Sequence, residues 1–129
     1  MGPTNAVTFH TDLVGPVTVV GAGAVGCLAA WLAARVIGCD VELVDVNPRR
    51  AAIARSLGVR FAAPDEAAAE RDVVIHASGA ESGLQSALRL AGFESTIVDL
   101  SWYGDRPVAV PLGEAFHARR LTLEASQVG

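Results

Sequence analysis

Blocks of strand length and helix length alternate along the chain from residue 17 onward. Short β-branched runs predict strands over Val17–Val20, Val41–Val44, Val59–Phe61, Val73–Ala77, Thr96–Leu100 and Leu121–Ser126. Amphipathic or alanine-rich blocks predict helices over Ala24–Ile37, Arg49–Leu57, Pro64–Glu70, Ser82–Ala91 and Leu112–Ala118. Gly38, Gly58 and Gly92 follow three of these blocks and are predicted to end them, while Pro48 suits a first helical turn.

Several predicted strands are apolar on both faces, which is typical of a parallel sheet covered by helices on each side. Six strands with intervening helices predict an α/β fold, a doubly wound parallel sheet of the Rossmann type with strand order 3-2-1-4-5-6. We place this single domain at residues 16–129 of the 129-residue chain. Residues 1–15 do not fit the alternation. We expect Thr4–Leu13 to be a helix packed against the sheet edge or the remnant of a preceding domain.

Composition narrows the classes of partner. All ten basic residues are arginine, they are scattered, and the net charge is −4, so the chain lacks the basic stripe that nucleic-acid binding requires. No apolar run approaches the roughly 20 residues of a membrane span, and the first residues do not form a signal peptide. Cys27 and Cys39 have no zinc or CxxC spacing, which favours small buried thiols in a reducing compartment. We expect a cytoplasmic protein without nucleic-acid or membrane partners.

A glycine pattern lies at the first strand-to-helix junction, in VTVVGAGAVGCLAA. Gly21, Gly23 and Gly26 have the spacing GxGxxG, and the position between a strand and a helix strengthens this otherwise weak motif. Gly21 permits a tight turn, Gly23 lets the backbone approach a pyrophosphate, and Gly26 lets the helix pack closely on the strands. The amides of Ala24 and Val25 at the helix start point at the phosphates. The motif therefore predicts a dinucleotide site.

An acidic residue completes this pattern at the end of the second strand. Asp45 ends VELVD, 19 residues after Gly26, and with Val46 beside it is predicted to bind the adenine-side ribose through both hydroxyls. A 2′-phosphate would be repelled there, by about 4 kcal/mol per charge pair at about 4 Å before screening reduces it several-fold. Arg49 and Arg50 could offset that repulsion. We predict NAD as the cofactor, with NADP as the alternative.

The rest of the cofactor surface is expected at the carboxyl ends of strands one, four and five. Ala77, Ser78 and Gly79 could form a ledge of small residues under the cofactor. Trp102 and Tyr103 either wall the nicotinamide end or pack in a surface loop, and the sequence favours neither.

Histidine and hydroxyl residues offer little catalytic signal. His76 lies inside the fourth strand, which favours a buried histidine with satisfied hydrogen bonds over a proton carrier. His117 is expected at the surface of the last helix. The sequence shows no Ser/His/Asp arrangement, P-loop lysine or metal cluster, and we assign no catalytic residue.

With these residues in view, the chain resembles the cofactor-binding half of the medium-chain, zinc-type alcohol dehydrogenase family over roughly residues 4–129. The similar segments are VVGAGAVGCLAA, VELVDVNPRRAAIARSLG, DVVIHASGAESGLQSAL and GEAFHARRLTLEASQVG. The matching positions are the phosphate loop at Gly21, Gly23 and Gly26, the ribose acid at Asp45, a basic position at Arg50 and the turn at Ala77–Gly79.

The resemblance implies hydride transfer between a nicotinamide cofactor and an alcohol or carbonyl substrate. It places the zinc ligands in a catalytic domain whose cysteine and GHE motifs this sequence lacks, so the chain alone is expected to bind cofactor without turning over an alcohol. It also implies homodimers that pair through the edge strand at residues 121–127, since an exposed strand edge can pair with a second copy.

Two other classes of protein share parts of this pattern. A non-catalytic, nucleotide-sensing regulatory domain would have the same glycine loop and acid, although HASGAESG and SWYGDRP speak against it. A small stand-alone reductase would need its own acid–base pair near the nicotinamide, and the absence of lysine removes the commonest version, a Tyr/Lys pair.

Overall fold

The computed structural model describes residues 16–126, which form one six-stranded sheet. The strands are β1 Val17–Val20, β2 Val41–Val44, β3 Arg60–Ala62, β4 Arg71–His76, β5 Ala91–Asp99 and β6 Thr122–Ala125. All neighbours pair in parallel, in the order β3-β2-β1-β4-β5-β6. The predicted fold class and strand order are confirmed. The predicted helix Thr4–Leu13 lies outside the described residues.

Helices connect these strands. They are α1 Ala24–Trp31, α2 Ala51–Leu57 and α3 Glu81–Leu90. The wider turns of a π-helix extend α1 over Leu32–Ile37, and a 3₁₀ turn over Pro48–Arg50 precedes α2. Gly38 and Gly58 end these helices with φ angles of +88° and +75°, a region that favours glycine, so both predicted helix ends are confirmed.

The predicted helix Pro64–Glu70 is wrong. This segment forms turns, because the amide of Ala68 donates a 3.0 Å hydrogen bond to Oε1 of Glu42 in β2 instead of continuing a helical ladder. Glu42 is buried, and the contact satisfies one oxygen of its carboxylate. A tertiary hydrogen bond therefore overrides the local helical propensity of the alanines.

The predicted end of α3 at Gly92 is also wrong. Ala91 already has extended backbone angles and starts β5 directly after the helix, so Gly92 lies within a strand that begins well before Thr96. The predicted bounds of β1 and β2 are confirmed at both ends, whereas those of β3, β4 and β6 shift by one or two residues. The predicted helix Leu112–Ala118 is present but irregular, with a π-helical turn over Leu112–Phe116 that is broken at Glu114.

Apolar side chains cover both faces of the sheet. One face packs under α1 and α2, and its core residues are Val17, Val19, Ala22, Ala30, Ala33, Val41, Leu43 and Ala54. The opposite face packs against α3, and its core residues are Val20, Val44, Val74, Ala87, Leu88, Leu90, Ala91, Ile97 and Leu121.

Because neighbouring strands run in parallel, the carboxyl ends of β1, β2 and β4 meet at one solvent-facing edge of the sheet, where crevices form in such folds. Among residues 16–126 no helix has the length and apolarity to cross a membrane.

Candidate functional site

The loop between β1 and α1 is shaped by two glycines. Gly21 has a φ angle of +109°, and a Cβ at this position would approach the backbone nitrogen of Ser78 to 2.7 Å. A Cβ on Gly26 would overlap the carbonyl oxygen of Gly21 and lie 3.6 Å from Cγ1 of Val19. The packing of the protein itself therefore explains both glycines, in the turn and helix-packing roles the sequence predicts for them.

Gly23 has no such internal reason to be glycine. Its φ and ψ angles of −82° and −166° are open to any residue, and no heavy atom beyond its immediate chain neighbours lies within 4 Å of the place a Cβ would take. Ala24 and Val25, the next residues, are exposed, and no side chain caps the start of α1. The open cradle at Gly23 gives a ligand phosphate access to backbone amides at a helix start.

Asp45 ties the end of β2 to this loop. Its Oδ2 accepts a 2.8 Å hydrogen bond from the amide of Ala22, and its Oδ1 accepts one of 2.8 Å from the amide of Asn47. An ionised carboxylate has about four acceptor positions, so Asp45 can still accept hydrogen bonds from sugar hydroxyls. The neighbouring Val46 is 79% exposed and extends the same rim.

An open cleft of about 270 Å³ lies between the glycine loop, the end of β2 and the turn after β4. Six predicted site residues line it together: Gly21, Gly23, Asp45, Val46, Ala77 and Ser78. Ala22, Ala80 and Ser82 also line it and were not predicted. Positions beside the motif and at the start of the next helix are the signal that could have identified them.

The remaining predicted residues lie elsewhere on the same edge. Ala24 and Gly26 belong to the start of α1, and the amide of Gly79 donates a 3.0 Å hydrogen bond to Oγ of Ser101. Arg50 is half-buried in the 3₁₀ turn before α2 and does not line the cleft.

Val25 and Trp102 lie on a second cavity, of about 560 Å³, at the carboxyl end of β5. Trp102 is 85% exposed, whereas Tyr103 is half-buried and donates a 2.8 Å hydrogen bond to Oδ2 of Asp99. The two aromatic side chains therefore differ in exposure. Tyr103 packs inward against Asp99, whereas Trp102 is open to solvent beside the second cavity.

His76, the last residue of β4, is fully buried and has partners on both ring nitrogens. Nε2 lies 2.5 Å from Oγ of Ser78, and Nδ1 lies 3.1 Å from Oδ1 of Asp99. Nδ1 also lies 3.2 Å from Oγ of Ser101 and 3.1 Å from the hydroxyl of Tyr103. The predicted buried histidine with satisfied hydrogen bonds is confirmed, and His117 is exposed as expected.

The expectation that the chain has no Ser/His/Asp arrangement is wrong. Ser78, His76 and Asp99 form one, because β4 and β5 pair in parallel with His76 opposite Asp99. Both residues end neighbouring strands, which is the signal that could have brought them together. Among the described residues, no group of three histidine, cysteine or acidic side chains is placed to hold a metal ion.

Burial and hydrogen bonding act in opposite directions on Asp99. Burial raises its pKa, but hydrogen bonds from His76, the amide of Ser101 and Tyr103 outweigh that effect and leave the pKa below its ordinary value. Burial and the hydrogen bond to Asp99 both raise the pKa of Tyr103. The carboxylate is therefore held ionised and the phenol neutral.

The two cysteines are free and half-buried, so they are more exposed than the buried thiols that the sequence favours. Burial raises the pKa of both thiols. At Cys27 the positive charge of Arg50 opposes that shift and the carboxylate of Asp45 adds to it, so both side chains lie near the start of α1. The thiol of Cys27 donates a 3.4 Å hydrogen bond to the carbonyl of Ala22.

The chain is similar to known dehydrogenases. It is 36% identical over 90 residues to L-threonine 3-dehydrogenase from Chelativorans sp. (strain BNC1), a match that covers 69% of this chain and 26% of that protein. The chain thus spans about a quarter of the length of this curated relative.

Solved structures share its fold. A zinc-binding dehydrogenase from Sinorhizobium meliloti 1021, bound to NADP, is 25% identical with a TM-score of 0.74, over 94% of this chain and 41% of that one. Alcohol dehydrogenase from Thermus sp. ATN1 is 22% identical with a TM-score of 0.75, over 96% and 39%. A short chain alcohol dehydrogenase from Escherichia coli CFT073, complexed with NADH, is 21% identical with a TM-score of 0.75, over 93% and 39%.

A sequence model of a different Rossmann family also matches. It is ApbA, described as ketopantoate reductase PanE/ApbA, and it matches residues 17–96, from the start of β1 into β5. The resemblance to zinc-type dehydrogenases is thus supported by the relative and the solved structures, whereas the family assignment differs from it. Because the match covers more than half of the 129 residues, the chain belongs to the ketopantoate reductase PanE/ApbA family.

Proposed function

We propose that this chain is the cofactor-binding domain of an oxidoreductase similar to the zinc-type alcohol dehydrogenases, and that it holds NAD(H) for hydride transfer with an alcohol or carbonyl substrate. The open cradle at Gly23 carries the proposal. Internal packing explains Gly21 and Gly26 but not Gly23, where the missing side chain leaves the backbone open beside exposed residues at the start of α1. A pyrophosphate fits that space chemically.

The predicted site residues divide into four groups around this cradle, and Val25 belongs to two of them. Gly21, Gly23, Ala24, Val25 and Gly26 hold the pyrophosphate, and Asp45, Val46 and Arg50 surround the adenine-side ribose. Ala77, Ser78 and Gly79 form the ledge under the second half of the cofactor. Val25 and Trp102 border the nicotinamide end, and their shared cavity at the end of β5 supports that assignment.

Asp45 favours NAD over NADP. Its carboxylate is fixed in place by the amides of Ala22 and Asn47, so it cannot turn away from a 2′-phosphate without losing both hydrogen bonds. Arg50 is the cation that could offset the repulsion, and its charge acts on Cys27 near the cleft. A bound NADPH would therefore depend on this arginine.

The family match favours a second candidate, the cofactor domain of a ketopantoate reductase-type enzyme. The match ends at residue 96, whereas the alignment with the Sinorhizobium meliloti dehydrogenase covers 94% of the chain. Since β6 and every residue lining the second cavity except Val25 lie beyond residue 96, they support the first candidate. In either case substrate residues and any zinc belong to a part of the enzyme outside this chain, which alone binds cofactor without turnover.

Calorimetric titration with NADH and with NADPH, repeated with Asp45→Ala, tests the proposal. We expect saturable NADH binding that Asp45→Ala weakens and shifts toward NADPH. Arg50→Ala is compared with Asp45→Ala, because it removes the cation that could offset the repulsion of a 2′-phosphate. It should weaken the binding of NADPH more than the binding of NADH. If neither cofactor binds at millimolar concentration, the proposal is contradicted, and the glycine loop has only a structural role in this chain.

A further inference from the structure

The hydrogen bonds around His76 determine which ring nitrogen carries the proton. Asp99 presents Oδ1 to Nδ1 at 3.1 Å, and a carboxylate can only accept. Tyr103 donates its hydroxyl proton to Oδ2 of Asp99 at 2.8 Å. The oxygen of Tyr103, which also lies near Nδ1 of His76, can therefore only accept a hydrogen bond from Nδ1. In a neutral imidazole the proton therefore lies on Nδ1, and Nε2 is left as an acceptor.

This tautomer fixes the direction of the contact with Ser78. Its Oγ lies 2.5 Å from Nε2 of His76, so the hydroxyl donates its only proton to the buried ring. The amide of Ala80 donates a 3.1 Å hydrogen bond to the same oxygen. Ser78 is exposed and lines the cleft, and its oxygen, which has accepted from Ala80 with one lone pair, keeps a second acceptor position.

Gly83 in the first turn of α3 keeps the space for this contact. A Cβ there would overlap Oγ of Ser78 and approach Nε2 of His76 to 2.7 Å. Glycine weakens a helix relative to alanine, so the helix gives up stability at the point where the two side chains meet. The contact thus depends on three elements: the end of β4, the turn after it and α3.

Ser78 and Asp45 lie on opposite sides of the glycine loop. Asp45 follows β2 and Ser78 follows β4, and β1 lies between those strands in the sheet. The backbone of Ser78 packs directly against Gly21. A dinucleotide whose pyrophosphate lies on the loop and whose adenosine lies toward Asp45 places its second sugar toward Ser78.

We propose that Ser78 accepts a hydrogen bond from a hydroxyl of that second ribose, and that His76 is a positioning residue that makes Ser78 an acceptor only. The ligand group selected here is a sugar hydroxyl, which can donate, and not a phosphate oxygen, which cannot. This inference rests on the proposed function, because it requires a dinucleotide on the glycine loop.

Titration with NADH, ADP-ribose and ADP distinguishes the contact of Ser78 with the second ribose from the binding of a nucleotide on the glycine loop. ADP lacks the second ribose, so only the other two ligands can make that contact. Ser78→Ala should weaken NADH and ADP-ribose about three- to tenfold and ADP by less than about twofold. Ser56→Ala, at an exposed position of α2 outside the cleft, is the matched control and should leave all three within about twofold. Ser78→Thr keeps the hydroxyl and should restore binding.

The outcomes are distinct. If the unmodified chain binds none of the three ligands, the proposed function fails. If it binds NADH and ADP but Ser78→Ala weakens all three ligands equally or weakens none, the role of Ser78 is overturned and the proposed function stands.

Long-range ¹H–¹⁵N NMR of the unmodified chain tests the role of His76 without any ligand. We expect the ring proton of His76 on Nδ1, where Asp99 accepts it, and Gly83→Ala should weaken NADH and ADP-ribose in the same selective way as Ser78→Ala. A proton found on Nε2 at neutral pH would reverse the direction of the Ser78 contact and contradict the proposal.

Discussion

The hydroxyl of Tyr103 donates a 2.8 Å hydrogen bond to Oδ2 of Asp99, and this contact joins the loop after β5 to the half-buried end of that strand. The other carboxylate oxygen of Asp99 meets His76 and accepts a 3.0 Å hydrogen bond from the amide of Ser101. Asp99 therefore links the loop that carries Trp102 to the turn that carries Ser78. We therefore expect stability at this edge and binding in the proposed cofactor cleft to depend on the same carboxylate.

Tyr103 is the single tyrosine of the chain, so its ionisation can be followed by ultraviolet absorbance. Burial and the hydrogen bond to Asp99 raise its pKa, so its stabilising contribution is complete below about pH 10 and is lost as the pH rises through the folded-state value. We expect phenolate to appear only well above pH 10 in the folded chain and near about pH 10 in denaturant. Phenolate formation near pH 10 with the fold intact would contradict the contact.

Asp99 makes the opposite contribution in acid. Its folded-state pKa is lowered, so its contribution is complete above about pH 4 and is lost as the pH falls through the folded-state value. We expect the free energy of unfolding, from urea titration, to fall below about pH 4, and less so in Asp99→Asn. Asp65→Asn changes an exposed carboxylate and is the control. Equal pH dependence in all three proteins would exclude Asp99 as the source.

Gly23 and Gly26 should respond differently to alanine. Gly26→Ala places a Cβ against the Gly21 carbonyl and should lower the free energy of unfolding by about 1–3 kcal/mol. Gly23→Ala meets no protein atom within 4 Å, so it should leave the melting temperature unchanged while weakening NADH binding at least about tenfold. Tight NADH binding by Gly23→Ala would show that the cradle is not used.

The glycine loop and Asp45 could be predicted from sequence because their signals are local. The spacing of three glycines between a strand and a helix, and an acid at the next strand end, fixes the turn and the rim without any long-range information. The turns at residues 64–70 could not be predicted in this way. They depend on a contact between Ala68 and the buried Glu42, which are distant in sequence.

The His76 network was missed for a related reason. Its existence depends on the register of β4 and β5, which brings His76 and Asp99 side by side, and on the absence of a side chain at Gly83. Gly92 gave a misleading signal, since a glycine after a helix is typical of a helix end. Here the strand starts at Ala91 without a loop, and a Cβ on Gly92 would approach the backbone of Glu70 to 3.0 Å.

We propose that the chain forms a homodimer through the edge strand at residues 121–127. The described part, β6, is exposed throughout and pairs only on its β5 side, which leaves a strand edge that can pair with a second copy. Leu123→Glu should lower the dimer fraction measured by sedimentation, because a twofold pairing places two like charges close together. Val36→Glu, at an exposed position of the π-helical extension of α1, is the control. A monomeric mass for the unmodified chain at micromolar concentration would contradict the proposal.

The most direct test of the central claim is a ¹H–¹⁵N NMR titration of the chain with NADH. The account predicts saturable shifts in the amides of the glycine loop, of Asp45 and Val46, and of the turn at Ala77–Gly79. Gln85 and Arg89, which line a separate crevice on α3, should stay unchanged. Shifts confined to that crevice, or none at millimolar NADH, would contradict the assignment of the cleft as a cofactor site.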